Sequence, residues 1–180
     1  MDDHSATRLP RALPGGWLRR LQTTDLPAFQ AYRSIPELGR FQGWSPMSDA
    51  EARAFLAEMN RAALFTPGDW VQLGIAESAG DQLIGDIGIF VSADGRAGEL
   101  GFTLAPDAQG RGIATAAVRQ ALQLVFGLTS VEHVLGITDR RNVRSVRLLE
   151  RVGFHHHEGR TTVFRGEPCA EEVYVLPRNA

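Results

Sequence analysis

Gln109-Gly110-Arg111-Gly112-Ile113-Ala114 is the stretch of this sequence that decides the fold. It separates an extended run ending at Leu104 from a segment whose apolar residues recur at helical spacing, at positions 114, 117, 118, 121 and 125. Glycines that lead a strand into a helix leave the first N–H groups of the helix free, and these groups and the helix dipole attract phosphate oxygens. Because Gly110 and Gly112 have no Cβ, an anion can approach this backbone closely, and Arg111 adds positive charge.

Two other interpretations of the turn stay open from its six residues alone. One is a plain helix start with two turn glycines. The other is the dinucleotide site of a nicotinamide-dependent oxidoreductase, which fits poorly, because Thr115 stands where the last glycine of G-x-G-x-x-G belongs. The acidic residue that should end the next strand is also missing, since Glu132 stands at the start of that strand.

The residues before the turn predict a short strand, two helices and an antiparallel meander. Ser48 and Glu51 form a capping-box pattern at the start of the second helix. Residues 34–47 hold two prolines and two glycines with Phe41 and Trp44, which predicts a short helix and an irregular aromatic loop. Short turns between the later extended runs indicate hairpins. We expect strands over residues 17–21, 70–77, 83–91 and 99–104, and helices over residues 26–33 and after residue 48.

After the turn the pattern changes to alternating helices and strands. The long helix is followed by a strand over residues 131–138, a helix over residues 143–152 and two final strands. Strand, helix and strand in that order imply a parallel pair within an otherwise antiparallel sheet. We therefore predict one α/β domain over residues 15–180, with a mixed, mostly antiparallel sheet flanked by helices. A flexible tail is expected over residues 1–14.

The sequence resembles the GNAT superfamily of N-acetyltransferases at several motifs. Gln109, Gly112 and Ala114 match its [QR]-x-x-G-x-[GA] motif, and residues 98–104 match the strand that precedes it. The N-x-x-S pattern of Asn142 and Ser145, with L-E-x-x-G-F at residues 149–154, is similar to the branch of the ribosomal-protein N-terminal acetyltransferases, the RimJ/RimL-like enzymes. The strong match covers roughly residues 97–159.

The resemblance implies acetyl-coenzyme A as co-substrate and a sheet whose parallel pair splays apart. Its glycine turn would cradle the pyrophosphate, and the strand before the turn would pair with the pantetheine arm and direct backbone N–H groups at the thioester oxygen. Asn142 would contact the pantetheine arm and Ser145 would lie near the sulfur. The residues expected to bind the co-substrate are Phe102, Thr103, Leu104, Gln109, Gly110, Arg111, Gly112, Ile113, Ala114 and Asn142.

Acetyl transfer requires a neutral amine, whereas an amine with a pKa of roughly 10 is protonated at neutral pH. Glu99 is the candidate general base, because its strand neighbours are uncharged and would raise the pKa of its carboxyl group. A solvated strand glutamate is the alternative interpretation. Ser145 is the candidate acid for the departing thiolate, with Tyr174 or unaided departure as alternatives. An N-cap role for Asn142 also stays open.

Composition excludes several classes of protein. The net charge is -2 over 180 residues, and no window approaches the roughly 20 apolar residues of a membrane helix. Neither nucleic acid nor a membrane is therefore an expected partner, and a cytoplasmic protein is expected. Cys169, the single cysteine, allows no internal disulfide. Residues 155–157 are three histidines, but adjacent strand residues alternate faces, so we expect no metal site.

The predicted function is direct acetyl transfer from acetyl-coenzyme A to a primary amine, in a complex that contains both substrates. A non-catalytic acyl-coenzyme A-binding module is the alternative, with the same glycine turn but no working base. The acceptor is a small-molecule amine or a protein N-terminus, and a homodimer is left open. No pattern in the sequence names the acceptor.

Overall fold

A computed structural model describes residues 8–179 of the protein. Within them, one eight-stranded sheet carries helices on both faces. The strands are β1 (Arg11–Leu13), β2 (Gly16–Arg20), β3 (Trp70–Glu77), β4 (Leu83–Val91), β5 (Ala97–Leu104), β6 (His133–Asp139), β7 (His155–Phe164) and β8 (Glu167–Pro177). The α-helices are α1 (Leu26–Arg33), α2 (Pro36–Gly39), α3 (Asp49–Arg61), α4 (Ile113–Leu128) and α5 (Val143–Val152).

The strands lie in the order β1-β2-β3-β4-β5-β6-β8-β7. Among the described strands, only β5 and β6 pair in parallel, over Ala97↔His133 to Leu100↔Gly136. Their pairing ends there, although β5 continues to Leu104 and β6 to Asp139. The prediction of a mixed, mostly antiparallel sheet with one splayed parallel pair and flanking helices is therefore confirmed.

Two hydrophobic cores hold the helices on the sheet. Helices α4 and α5 pack on one face, where Leu149 lies so close to Gly136 that a Cβ there would be 2.5 Å from the Leu149 Cδ2. Helices α1 and α3 pack on the other face around Phe29 and Leu56, which are fully buried.

The capping box at Ser48 is confirmed, since the Ser48 Oγ accepts a hydrogen bond from the Glu51 N–H and the Glu51 carboxylate accepts one from the Ser48 N–H. The tail expected over residues 1–14 is wrong for residues 11–13, which form β1 and pair with β2. Burial of Leu13 and a 2.6 Å hydrogen bond from Arg11 Nη2 to Gln123 Oε1 hold this strand. Residues 1–7 lie outside the described part of the chain.

No helix within residues 8–179 is long and apolar enough to cross a membrane.

Candidate active site

A cleft opens where β5 and β6 separate. It lies between the two strands, the start of α5 and the loop that follows α2. Its lining residues are Phe41, Gln42, Leu100, Gly101, Phe102, Gly136, Ile137, Thr138, Asn142, Ser145 and Leu149. Three of the residues predicted from the sequence, Phe102, Asn142 and Ser145, thus share one cleft.

The edge of β5 that faces this cleft has lost its strand partner. The Ala105 N–H donates to the Ile84 carbonyl of β4, so the backbone groups of Phe102 and Leu104 face the opposite edge. There the Phe102 carbonyl accepts a hydrogen bond from Gln42 Nε2 at 3.0 Å, and the Leu104 carbonyl accepts one from Gln109 Nε2 at 2.9 Å. Two side-chain amides therefore occupy positions at which an extended ligand would pair with β5.

The Thr103 side chain points to the other face of the sheet, away from the cleft edge. It is buried, and its Oγ1 accepts a hydrogen bond from Trp44 Nε1 at 3.3 Å. The Thr103 backbone pairs with Asp86 of β4, so neither its side chain nor its backbone faces the cleft edge, and the expected role of Thr103 in binding the co-substrate is not supported by this geometry.

The glycine turn at the start of α4 has the backbone of an anion site. Gly110 and Gly112 have φ of 76° and 77°, in the left-handed region that favours glycine. A Cβ at either position would meet no atom of the described residues within 4 Å, so the space above the turn is open. The first α4 hydrogen bond runs from the Ala116 N–H to the Gly112 carbonyl at 3.1 Å. The N–H groups before Ala116 can therefore bind phosphate oxygens, and the turn fits a pyrophosphate.

The other residues predicted for the turn differ in how accessible they are. Arg111 is exposed and pairs with Glu77 at 3.0 Å, a contact that solvent weakens. Ile113 is buried in the core under α4, and Ala114 is half-buried against the same core. These two residues therefore offer backbone N–H groups rather than side chains.

Gln109 connects three elements of the site. Its Nε2 donates a hydrogen bond to the Leu104 carbonyl at the end of β5, and its Oε1 accepts one from Arg144 Nη1 of α5 at 2.6 Å. Because the protein engages both ends of this carboxamide, the described contacts favour a role in fixing the turn between β5 and α5.

Asn142 and Ser145 lie together at the start of α5. The Asn142 Oδ1 accepts a hydrogen bond from the Ser145 N–H at 3.3 Å, which is the N-cap geometry. Both residues also line the cleft. The cap leaves the Asn142 Nδ2 and the Ser145 Oγ available to a ligand, so capping and binding are compatible here.

Glu99 lies at the end of the parallel pairing, between Phe90 of β4 and Leu135 of β6. Its side chain points to the sheet face opposite that of Leu100, and it does not belong to the residues that line the cleft. Burial raises the pKa of the Glu99 carboxyl above its usual range; nearby Arg160 acts against this rise and Glu171 adds to it. A half-buried carboxyl group of raised pKa, one residue from the cleft, is suited to accept a proton.

The alternative acid, Tyr174, lies in the core instead. It is buried, it stacks edge-on against His156 at 5.4 Å, and burial raises the pKa of its hydroxyl group. It does not contribute to the lining of the cleft. Ser145 is therefore better placed than Tyr174 to meet a ligand there.

The histidines and the cysteine have other partners. His156 Nε2 lies 2.5 Å from Glu172 Oε2, whereas His155 pairs with Val175 on the opposite face. Within residues 8–179, no three side chains of His, Cys, Asp or Glu converge as a metal site. The Cys169 thiol donates to Asp139 Oδ2 at 3.1 Å, and burial raises its pKa to about 11. Its thiolate is therefore scarce at neutral pH, which disfavours a nucleophilic role.

No pattern in the sequence predicted the part played by Gln42 and Arg165. The Arg165 Nη2, at the turn between β7 and β8, donates to the carbonyls of Gln42 and Trp44, and the Trp44 ring lies 4.4 Å over the Arg33 guanidinium. Arg165 of the β7–β8 hairpin and Arg33 of α1 thus hold the loop after α2 at the mouth of the cleft. The contacts join residues 121 and 123 positions apart, which no local pattern encodes.

Residues 17–155 match the family described as the acetyltransferase (GNAT) domain. The chain belongs to this family. An uncharacterized N-acetyltransferase, p20, from Bacillus licheniformis is 25% identical over 140 residues, which cover 76% of this chain and 77% of that protein.

Two solved structures share the fold at low sequence identity. One is a spermidine N-acetyltransferase from Vibrio cholerae in complex with CoA and spermine, with a TM-score of 0.78, 18% identity and coverage of 92% of this chain and 96% of that chain. The other is RimL, a ribosomal L7/L12 alpha-N-protein acetyltransferase in complex with coenzyme A. Its TM-score is 0.79, with 14% identity and coverage of 94% and 98%.

Family membership identifies the chain as an acetyl-coenzyme A-dependent acyltransferase that transfers an acetyl group to an amine. The predictions of family, enzyme class and co-substrate are confirmed at this level.

Proposed function

We propose that this enzyme acetylates a primary amine by direct attack, with both substrates bound at once and Glu99 as the general base. The observation that carries the proposal is the position of Glu99, half-buried at the last residues of the β5–β6 pairing, with a carboxyl pKa raised by burial. Acetyl-coenzyme A enters from the α4 and α5 side of the sheet, and the amine approaches from the Glu99 side.

On the co-substrate side, the first turn of α4 holds the pyrophosphate through the backbone N–H groups that follow Gly112. The pantetheine arm runs along the free edge of β5, and Asn142 and Ser145 contact it from the start of α5. These residues place the thioester in the gap between β5 and β6. The nearest backbone N–H groups of β5 donate to the thioester oxygen and stabilise the charge that develops there.

On the acceptor side, Glu99 removes a proton from the ammonium group, directly or through water. The freed lone pair of the nitrogen attacks the carbonyl carbon of the thioester. A C–N bond forms and the C–S bond breaks, so that coenzyme A leaves as a thiolate. The nitrogen gives up its second proton, to the thiolate or to water, and the neutral amide results. Ser145 donates a hydrogen bond to the departing sulfur. Because the pKa of a thiol is roughly 8.5, the thiolate can also leave without being protonated.

We also propose that the enzyme is related to the RimJ/RimL-like branch, with a protein N-terminus or a small-molecule amine as acceptor. The N-x-x-S pattern of Asn142 and Ser145 and the L-E-x-x-G-F pattern at residues 149–154 support this relationship. The names of the two structural neighbours fit both kinds of acceptor, since one acts on a ribosomal protein and the other on spermidine.

The test compares Glu99→Gln with the wild type in turnover and in coenzyme A affinity. We expect turnover at neutral pH to fall by about 10²- to 10⁴-fold while coenzyme A binds as before. Glu167→Gln, at an exposed glutamate of the β7–β8 hairpin, is the matched control and keeps full activity. Near-normal turnover of Glu99→Gln removes Glu99 from the mechanism. If the wild type binds coenzyme A but acetylates none of a broad set of amines, the result supports the alternative of a non-catalytic binding module.

A further inference from the structure

No side chain covers β5 at Gly101 on the sheet face that carries Glu99, within the described residues. A Cβ at Gly101 would meet no atom of the described residues within 4 Å, so open space lies above this glycine. Glu99 and Thr103 flank it along the strand, because alternate residues share a face. The Gly101 backbone also lines the cleft, so the open space on the Glu99 face adjoins the cleft.

A pair of aromatic rings stands beside Glu99 on the same face. The strand register places Trp70, Phe90 and Glu99 in one row across β3, β4 and β5. The rings of Trp70 and Phe90 lie 5.5 Å apart, and Trp70 remains 46% exposed. A large exposed aromatic side chain next to a half-buried carboxyl group is a feature of binding sites.

The neighbouring row holds a second polar group. Gly88 of β4 is the cross-strand partner of Gly101, and its Cβ position lies 2.9 Å from Gln72 Oε1 and 3.3 Å from Trp70 Cε3. Gln72 Nε2 donates to Asp86 Oδ1, which orients the carboxamide and leaves its oxygen over the glycine pair. Trp70 and Gln72 therefore border the open space above Gly101 on its β4 side.

We propose that Trp70, Phe90 and Gln72 form the acceptor subsite, and that the acceptor is a primary amine bearing an apolar, preferably aromatic, group near the nitrogen. The inference rests on the proposed function, because it takes Glu99 as the base. The ammonium lies above Gly101, where Glu99 and Gln72 Oε1 accept two of its N–H groups. The apolar group packs on the two rings.

The residues of this subsite explain the choice of acceptor class. Its platform is uncharged and aromatic, so it gains free energy from apolar burial and ring contact. The polar groups lie at one end only, beside Gly101. Such a site recognises an amine that is polar at one end and apolar at the other, rather than one with polar groups along its whole length.

The test measures kcat/KM for 2-phenylethylamine, n-butylamine and 1,4-diaminobutane. We expect the wild type to prefer 2-phenylethylamine, and Trp70→Ala to lower its kcat/KM about ten-fold while changing that of n-butylamine less than about two-fold. Trp70→Phe restores most of the preference. Trp17→Ala is the control, since Trp17 is also exposed but lies on β2 and changes neither value.

Three outcomes overturn the proposal: an equal loss on both monoamines in Trp70→Ala, a wild-type preference for 1,4-diaminobutane, or no turnover of 2-phenylethylamine. The quantity compared is the ratio of the kcat/KM values of two acceptors, so the test separates this proposal from the proposal that Glu99 is the general base. Removal of the base lowers turnover of every acceptor, whereas removal of Trp70 changes their order.

Discussion

Gln42 donates its side-chain amide to the backbone carbonyl of Phe102 over 3.0 Å, although the two residues are 60 positions apart. This carbonyl lies on the edge of β5 beyond Leu100, where the pairing with β6 has ended. The pantetheine arm of the co-substrate would present amide N–H groups to the same edge. If the arm binds as proposed, Gln42 competes with it for this acceptor, and the hydrogen bond between Gln42 and Phe102 has to break.

Gln42→Ala is expected to bind coenzyme A about two- to ten-fold more tightly than the wild type, because a hydrogen bond of about 0.5–1.5 kcal/mol no longer has to be exchanged. Calorimetric titration with coenzyme A measures the constant. Gln30→Ala, which removes an amide bonded to the Met47 carbonyl at the far end of the same segment, is the control and leaves the affinity unchanged. Weaker binding by Gln42→Ala would show that Gln42 helps to hold the co-substrate.

Gly112→Asp and Gly112→Asn form a matched pair that isolates charge at the glycine turn. Both side chains tolerate the left-handed backbone, which has φ of 77° here, and they differ in little but charge. Coenzyme A should bind to Gly112→Asp at least about ten-fold more weakly than to Gly112→Asn, since the carboxylate repels the pyrophosphate. Equal affinities, measured at low salt with melts to confirm folding, place the pyrophosphate elsewhere.

The sequence predicted the parts of the fold and of the site that local chemistry encodes. The left-handed glycines of the turn, the capping box at Ser48 and the helix start at Asn142 each depend on residues within a few positions of one another. Contacts such as Gln42 with Phe102 depend on how distant segments pack, and β1 depends on pairing with β2 rather than on its own pattern.

The aromatic subsite shows why strand faces are hard to assign from the sequence. A β-bulge between Ile75 and Ala76 shifts the register of β3 against β4. Counting back from the hairpin turn without the bulge would pair Trp70 with Ile89 and place it on the wrong face, away from Glu99. Whether a strand holds a bulge depends on packing in the whole sheet, so alternation alone cannot bring Trp70 to the acceptor.

Asn142 and Ser145 offer a test that separates capping from ligand binding. Asn142→Asp keeps a side chain that caps about as well, so the melting temperature should hold, while its charge near the thioester and phosphates weakens coenzyme A binding. Ser145→Ala should bind normally and turn over more slowly, because the leaving sulfur loses a hydrogen bond. Melts, titrations and acetylation rates check the two variants. Wild-type binding in the first and wild-type turnover in the second would remove both residues from the site.

Glu99 should impose a pH dependence on catalysis that an exposed glutamate would not. Because burial raises the pKa of its carboxyl group, the base form is lost at a higher pH than usual when the solution is acidified. kcat/KM should therefore fall on the acid side with an apparent pKa above the range of an ordinary glutamate. In Glu99→Gln the limb caused by titration of Glu99 disappears. The residual activity then rises only at higher pH, as the substrate amine itself loses its proton. An acid limb that persists unchanged in the variant would assign it to another group.

The same raised pKa has a consequence for stability that needs no substrate. Below the pKa of the unfolded chain, Glu99 is protonated in both states and its stabilising contribution is fully present; as pH rises through the higher folded pKa, that contribution is lost. Glutamine has the shape of the protonated acid and cannot ionise. Glu99→Gln should therefore unfold at about the wild-type temperature near pH 4 and at a higher temperature than the wild type at pH 7–8. Glu167→Gln shows no such divergence, because Glu167 is exposed. A difference between the two melting temperatures that stays the same at every pH would mean that folding does not shift the pKa of Glu99. A variant less stable than the wild type at pH 8 would mean that the folded protein stabilises the Glu99 carboxylate.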